Sequence, residues 1–162
     1  MPLHIDVVKE ADSWDALPDY EALANVAIEA AAAAARFDTT PDAEVCLLFC
    51  DDARIRELNH QWRNIDKPTN VLSFPAGQPA IGDAPAMLGD IAIAFETVHR
   101  EAREENKSLA AHTTHMVVHG FLHLLGHDHE EDMDAQTMED MERRILRDLG
   151  IDDPYRDSER PR

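Results

Sequence analysis

The stretch from His112 to His129, HTTHMVVHGFLHLLGHDH, limits what this chain can become more than any other segment. Six of the nine histidines fall inside it. Met116, Val117, Phe121, Leu124 and Leu125 recur among them at helical spacing, which predicts a helix with a face in the core. Imidazoles are mediocre helix formers, and a solvent-facing helix has no reason to gather them. Neutral imidazole is, however, the commonest side-chain ligand of transition metals.

Spacing decides which histidines can share an ion. His115, His119, His123 and, if the helix continued, His127 recur every four residues. Neighbours at that spacing share a face, with Cβ atoms about 5–6 Å apart. The outer two of any three stand roughly 12 Å apart along the axis, too far for bonds of about 2.0–2.1 Å to one metal. The expected site therefore takes two histidines from the helix and a third from a returning segment. Gly126 is the expected helix stop, with His127, Asp128 and His129 on the loop beyond it. The helical pair nearest that loop is His119 and His123. Spacing leaves the third ligand open between His127 and His129. His112 and His115 read as packing or supporting groups, and the isolated His4, His60 and His99 as surface residues. Asp128 is a candidate to orient a ligating imidazole through its other ring nitrogen.

HGFLHLLGHDH resembles the HGxLHLxGYDH signature of the YbeY family of bacterial rRNA-maturation endoribonucleases. The first, second and last histidines of that motif bind zinc, which here implies His119, His123 and His129 around one Zn²⁺. LNHQWRNIDKPTNVLSFP, from Leu58 to Pro75, is similar to a second block of the family that brings an arginine to the cleft, here Arg63. LGDIAIAFETV (Leu88 to Val98) and DPY (Asp153 to Tyr155) fit as well, so the resemblance covers nearly the whole chain. Where the family has tyrosine, this chain has His127, a spare imidazole. The resemblance implies a single-strand-directed endoribonuclease that matures the 3′ end of small-subunit rRNA and helps remove defective ribosomes. Its expected partners are rRNA and ribosomal particles.

A chain of 162 residues with 44% hydrophobic content suits one compact domain. The expected domain spans 1–152, followed by a polar, frayed tail at 153–162. No apolar run is long enough to span a membrane, and the first residues lack the layout of a signal peptide. Cys46 and Cys50 share the apolar run VCLLFC, and as strand residues they are about 13 Å apart. A disulfide is excluded at that distance, so both are expected reduced and buried, and the compartment cytoplasmic. The formal net charge of −18 sits uneasily with a nucleic-acid enzyme. It reads either as restraint on indiscriminate RNA binding, with a basic ribosomal protein or a metal needed for productive contact, or as host-adapted solubility.

Along the chain, Leu3, Ile5 and Val7 alternate with polar residues as in a half-buried strand, and Pro18 or Asp19 opens an alanine-rich helix to about Arg36. Val45 to Cys50 predicts a central strand. Asp51 or Asp52 caps a helix with Ile55, Leu58 and Trp62 on one stripe and Arg63 at its end. Val71 to Phe74 and Leu88 to Phe95 predict two more strands, separated by a loop from Pro75 to Pro85 placed where a lid would sit. A helix from Glu96 to about Glu105 follows, and Ser108 caps the histidine helix. Met138, Met141, Ile145 and Leu149 line a last helix ended by Gly150. Four strands and about five helices, without regular βαβ alternation, predict an α+β fold: a small four-stranded sheet with helices packed on it.

Three imidazoles without a fourth protein ligand leave an open metal position, the mark of a catalytic rather than a structural site. Zinc there lowers the pKa of water to about 7. A peptidase needs the glutamate of HExxH as base, and that position is Gly120. Phosphodiester cleavage needs a cation facing the charge on the non-bridging oxygens. Arg63 is the candidate catalytic residue for it, guanidinium being always charged and bidentate towards phosphate. Asn59, Lys67, Thr69, Asn70 and Ser73 are further candidates for the cleft. Two other readings are a metallohydrolase of another bond and a non-catalytic assembly factor stabilised by zinc.

Overall fold

The computed structural model describes residues 3–37, 42–78, 86–128 and 135–155, apart from the side chains of 77, 78, 86, 127, 128 and 135. In chain order the elements are β1 (Leu3–Lys9), α1 (Tyr20–Ala34), β2 (Ala43–Cys50), α2 (Asp52–Arg63), β3 (Val71–Gln78), β4 (Ala86–Ala94), α3 (Phe95–Glu104), α4 (Leu109–Asp128) and α5 (Ala135–Asp148). A short 3₁₀ turn, Asp12–Ala16, precedes α1. The strands form one sheet in the order β1-β2-β4-β3, parallel except where β3 runs against β4. This is the expected α+β architecture. The first three elements make one βαβ unit, and the alternation lapses after it.

Strand alternation divides the core. Val45, Leu47 and Phe49 of β2 and Ile91 and Ile93 of β4 face α1 and α4, where they meet Trp14, Ala27, Ile28, Val117 and Phe121. Small alanines along α1 bring that helix close to the sheet and to α4. On the opposite face α2 packs over a smaller cluster of Cys50, Ile55, Ala92 and Ala94. Among the described residues no helix is long and apolar enough to cross a membrane.

Local signals hold at several ends. The Asp51 carboxylate accepts from the Arg54 amide at 2.8 Å and caps α2. Asn64, with φ +59°, closes α2 in the left-handed conformation directly after Arg63. Ser108 Oγ accepts from the Ala111 amide at 3.0 Å and starts α4. Gly150, with φ +81°, follows α5.

Five expectations need correction. α4 does not stop at Gly126 but continues to Asp128. Leu124 and Leu125 on either side of the helix are buried in the core, and that packing outweighs one glycine's local cost. His127 and Asp128 are thus helical rather than on a returning loop. β3 continues through Pro75 to Gln78, as an edge strand permits, because proline there leaves no ladder bond unmade; the rest of the expected lid, 79–85, lies outside the described residues. Trp62 is not on the buried stripe of α2 but is 63% exposed. Cys46 is only half-buried, whereas Cys50 is buried; both are free thiols. Asp153 to Tyr155 do not fray: Asp153 bonds Arg143 at 3.3 Å and the Tyr155 ring lies under the Arg143 guanidinium.

Candidate metal centre and the arginine beside it

From His112 to Gly126, α4 is buried at every residue except His119, His123 and Gly126. A helix apolar over most of its surface belongs inside a domain, and here it opens to solvent through two imidazoles one turn apart. Their Nε2 atoms stand 3.0 Å apart. Two donors at about 2.0–2.1 Å from one tetrahedral ion are separated by roughly 3.3 Å, so the pair is already at chelating distance.

The other nitrogen of His119 is accounted for. Glu142, fully buried on α5, hydrogen-bonds His119 Nδ1 through Oε1 and accepts the Tyr155 hydroxyl on Oε2. His115 Nε2 lies 3.7 Å from the same Oε1. Burial pushes the Glu142 carboxyl up, but the nearby His115 imidazole and the bonds from His119 and Tyr155 prevail and hold it down at about 2. A carboxylate on Nδ1 fixes the tautomer and leaves Nε2 as the free donor, the arrangement that supports metal-bound histidines. Desolvation, and after it His119, push His123 below the usual imidazole value against the pull of Glu142, with Arg63 adding a smaller push. Neutral imidazole is the form that binds metal.

His115, His119 and Glu142 also offer one donor each within 4.8 Å of one another, so this group could hold a metal ion. Two features favour the His119–His123 pair instead. Glu142 already accepts the Tyr155 hydroxyl as well as bonding His119 Nδ1, and both it and His115 are enclosed, whereas the paired Nε2 atoms face the open strip. The His115 ring is further packed edge-on against Tyr155 at 5.6 Å. His112 is likewise buried, bonded to Glu101 at 2.9 Å. His129 and the side chains of His127 and Asp128 lie outside the described residues, as do Glu130, Glu131, Asp132 and Asp134.

Arg63 approaches this strip through the sheet. Its guanidinium donates to the Ser73 carbonyl at 2.6 Å and lies over the Phe74 ring, 5.6 Å from the centroid. Ser73 Oγ in turn donates to the Gly120 carbonyl at 2.8 Å, between the two histidines on α4. The arginine has no carboxylate partner among the described residues. Gly120 sets the spacing of this chain of contacts. A Cβ there would meet Ile91 Cγ2 at 2.8 Å, so the helix touches the sheet only because the residue is glycine. The HExxH glutamate has no room at this position.

Other candidates for the cleft turn out to be structural. Asn59 is buried and donates to the Lys67 carbonyl at 2.9 Å. Asn70 donates to Glu101 at 3.1 Å and accepts from the Val71 amide. Sequence reasoning missed Glu142 and Tyr155. The available signal was an acid on the apolar stripe of α5, one turn from Met138 and from Leu146.

The chain resembles known proteins over nearly its whole length. The family model described as Endoribonuclease YbeY matches residues 7–150. The chain is 53% identical over 163 residues to Endoribonuclease YbeY of Rhodopseudomonas palustris (strain BisB18), covering 99% of this chain and 96% of that protein. It is 56% identical over 156 residues to its counterpart in Bradyrhizobium diazoefficiens, covering 94% and 85%. Among solved structures, TM1509 from Thermotoga maritima superposes with a TM-score of 0.59 at 26% identity, covering 90% of this chain and 88% of that one.

Proposed function

The chain belongs to the Endoribonuclease YbeY family, and from that premise we propose that it is a metal-dependent endoribonuclease cutting single-stranded RNA. The observation that carries this reading is an Arg63 without a carboxylate partner among the described residues, linked through Ser73 and Gly120 to the helix that presents His119 and His123. The ion would be zinc, which His119 and His123 would hold with His129. Zinc supplies Lewis acidity and lowers the pKa of a coordinated water to about 7.

The protein's own groups do the rest. Glu142 keeps His119 Nδ1 protonated and Nε2 aimed outward. Arg63 receives the scissile phosphate on its free guanidinium edge and faces the charge that grows on the non-bridging oxygens. Ser73 fixes the arginine from behind through its carbonyl. Gly120 keeps the helix close enough for both halves to meet on one phosphodiester. The natural substrate is the 3′ end of small-subunit rRNA, and the quality control of defective ribosomes follows from the same cut. Presentation within ribosomal particles, beside a basic ribosomal protein, offsets the repulsion of RNA by a chain of net charge −18.

The test is Arg63→Ala. Metal content stays at the wild-type level while cleavage of a single-stranded RNA falls by about 10²-fold or more, the scale of losing one group that stabilises a transition state. Unchanged cleavage removes Arg63 from the mechanism.

A further inference from the structure

The face of the sheet turned away from α4 is only partly covered. Between α2 and strands β3 and β4 lies a cavity of about 540 Å³ with Leu58, Trp62, Arg63, Phe74, Asp90 and Ala92 in its walls. That size falls among pockets that hold small organic groups. Trp62 is 63% exposed at its rim, the most exposed large apolar side chain among the described residues. Trp62 and Phe74 are set edge-to-face at 6.4 Å, and Arg63 lies over the other aromatic ring.

An exposed tryptophan loses free energy to water unless something flat covers it. Among the described residues the one cation in the wall is Arg63, the residue already linked to the histidine helix. A ligand for this cavity is therefore aromatic, planar and attached to an anion. Arg63 is also the wall residue that bonds Ser73, whose hydroxyl reaches Gly120 on the histidine helix. An unpaired nucleotide has that composition: a base with a π-face, tethered to a phosphodiester.

We propose that this cavity is a nucleobase site, in which an unpaired base of the RNA substrate stacks on Trp62 beside Phe74 while its phosphate rests on Arg63. The proposal rests on the endoribonuclease reading. Asp90, at the cavity wall, is the acceptor for an exocyclic amino group on the base. The site explains how an acidic protein holds RNA with little positive charge: stacking is insensitive to the sign of the surface. It also imposes single-strandedness, since a paired base cannot leave its helix without unstacking.

The experiment compares the full chain, loaded with zinc, with Trp62→Phe and Trp62→Ala. Binding of a short fluorescein-labelled single-stranded oligoriboadenylate is read by anisotropy, and cleavage of the same RNA is read as KM and kcat separately. Stacking contributes about 1–3 kcal/mol per base, so Trp62→Ala weakens binding and raises KM about five- to 150-fold. Trp62→Phe keeps most of the affinity, and neither variant changes kcat, metal content or Tm, because the side chain is outside the core. Equal affinity and KM for all three proteins, with the wild type active, overturns the base site and leaves the endoribonuclease standing. A wild type that neither binds nor cuts the RNA overturns both.

Discussion

His119 Nε2 and His123 Nε2 meet at 3.0 Å on a solvent-facing strip of α4, while His119 Nδ1 is held from behind by a buried Glu142. This relationship makes the two histidines a donor pair rather than two members of a histidine-rich helix. His119→Ala or His123→Ala purified without chelator is expected to retain a small fraction of the metal carried by the wild type. Elemental analysis per chain measures it. Full retention in both variants moves the ion to another site.

Glu142 carries a second prediction. Glu142→Gln keeps the side chain's shape but removes the charge that holds the His119 tautomer. Metal affinity, read by competition with a chelator, is expected to fall about 10–100-fold, as is usual when a carboxylate behind a ligating histidine is lost. Glu142→Ala adds a stability loss, since His119 and Tyr155 both lose their partner in the interior. A Glu142→Gln protein with wild-type affinity assigns the residue to folding alone.

Gly120 tests the closeness of helix and sheet. Its Cβ would lie 2.8 Å from Ile91 Cγ2 and 3.2 Å from Ser73 Oγ. Gly120→Ala is expected to cost about 1–3 kcal/mol through overpacking. Chemical denaturation measures that figure. RNA cleavage is expected to fall further than stability, because Ser73 supports Arg63. Unchanged stability with unchanged cleavage shows that the interface yields without disturbing the site.

The thiols give a pH dependence. Desolvation, with the nearby Asp90, Asp6 and Glu44 carboxylates, pushes Cys46 up to about 11. Desolvation, with Glu10 and Asp51, pushes Cys50 up to about 12. Unfolded thiols ionise near 9, so the unfolded state releases protons first as pH rises. Their contribution to stability is complete below pH 9 and declines as pH rises through 9 towards 12. The slope of unfolding free energy against pH in that window is expected to be shallower for Cys50→Ala than for the wild type. Identical slopes exclude the thiol as the cause.

Much of this was legible in the chain and some was not, for physical reasons. His119 and His123 could be chosen because four-residue spacing is a geometric statement about a helix. Arg63 could be placed at a helix end because Asp51 or Asp52 caps the start of α2 and the apolar stripe of Ile55, Leu58 and Trp62 runs out just before it. Glu142 could not be singled out by charge in a chain with 33 acidic residues; only its position on the apolar stripe of α5 marked it. Tyr155 was hidden because its partner, Glu142, lies in another element, beyond the reach of any local sequence pattern, and meets it only in the folded chain. Gly126 misled because a glycine's local preference is worth about 1 kcal/mol, less than the burial of Leu124 and Leu125 beside it.

The most direct test is cleavage of a single-stranded RNA carrying the precursor 3′ end of small-subunit rRNA, by zinc-loaded wild type and by His123→Ala purified identically. The wild type is expected to cut and the variant not to, with activity in the wild type lost on chelation and restored by zinc. Equal cutting by both proteins contradicts the central claim, because the activity then does not depend on the His119–His123 pair.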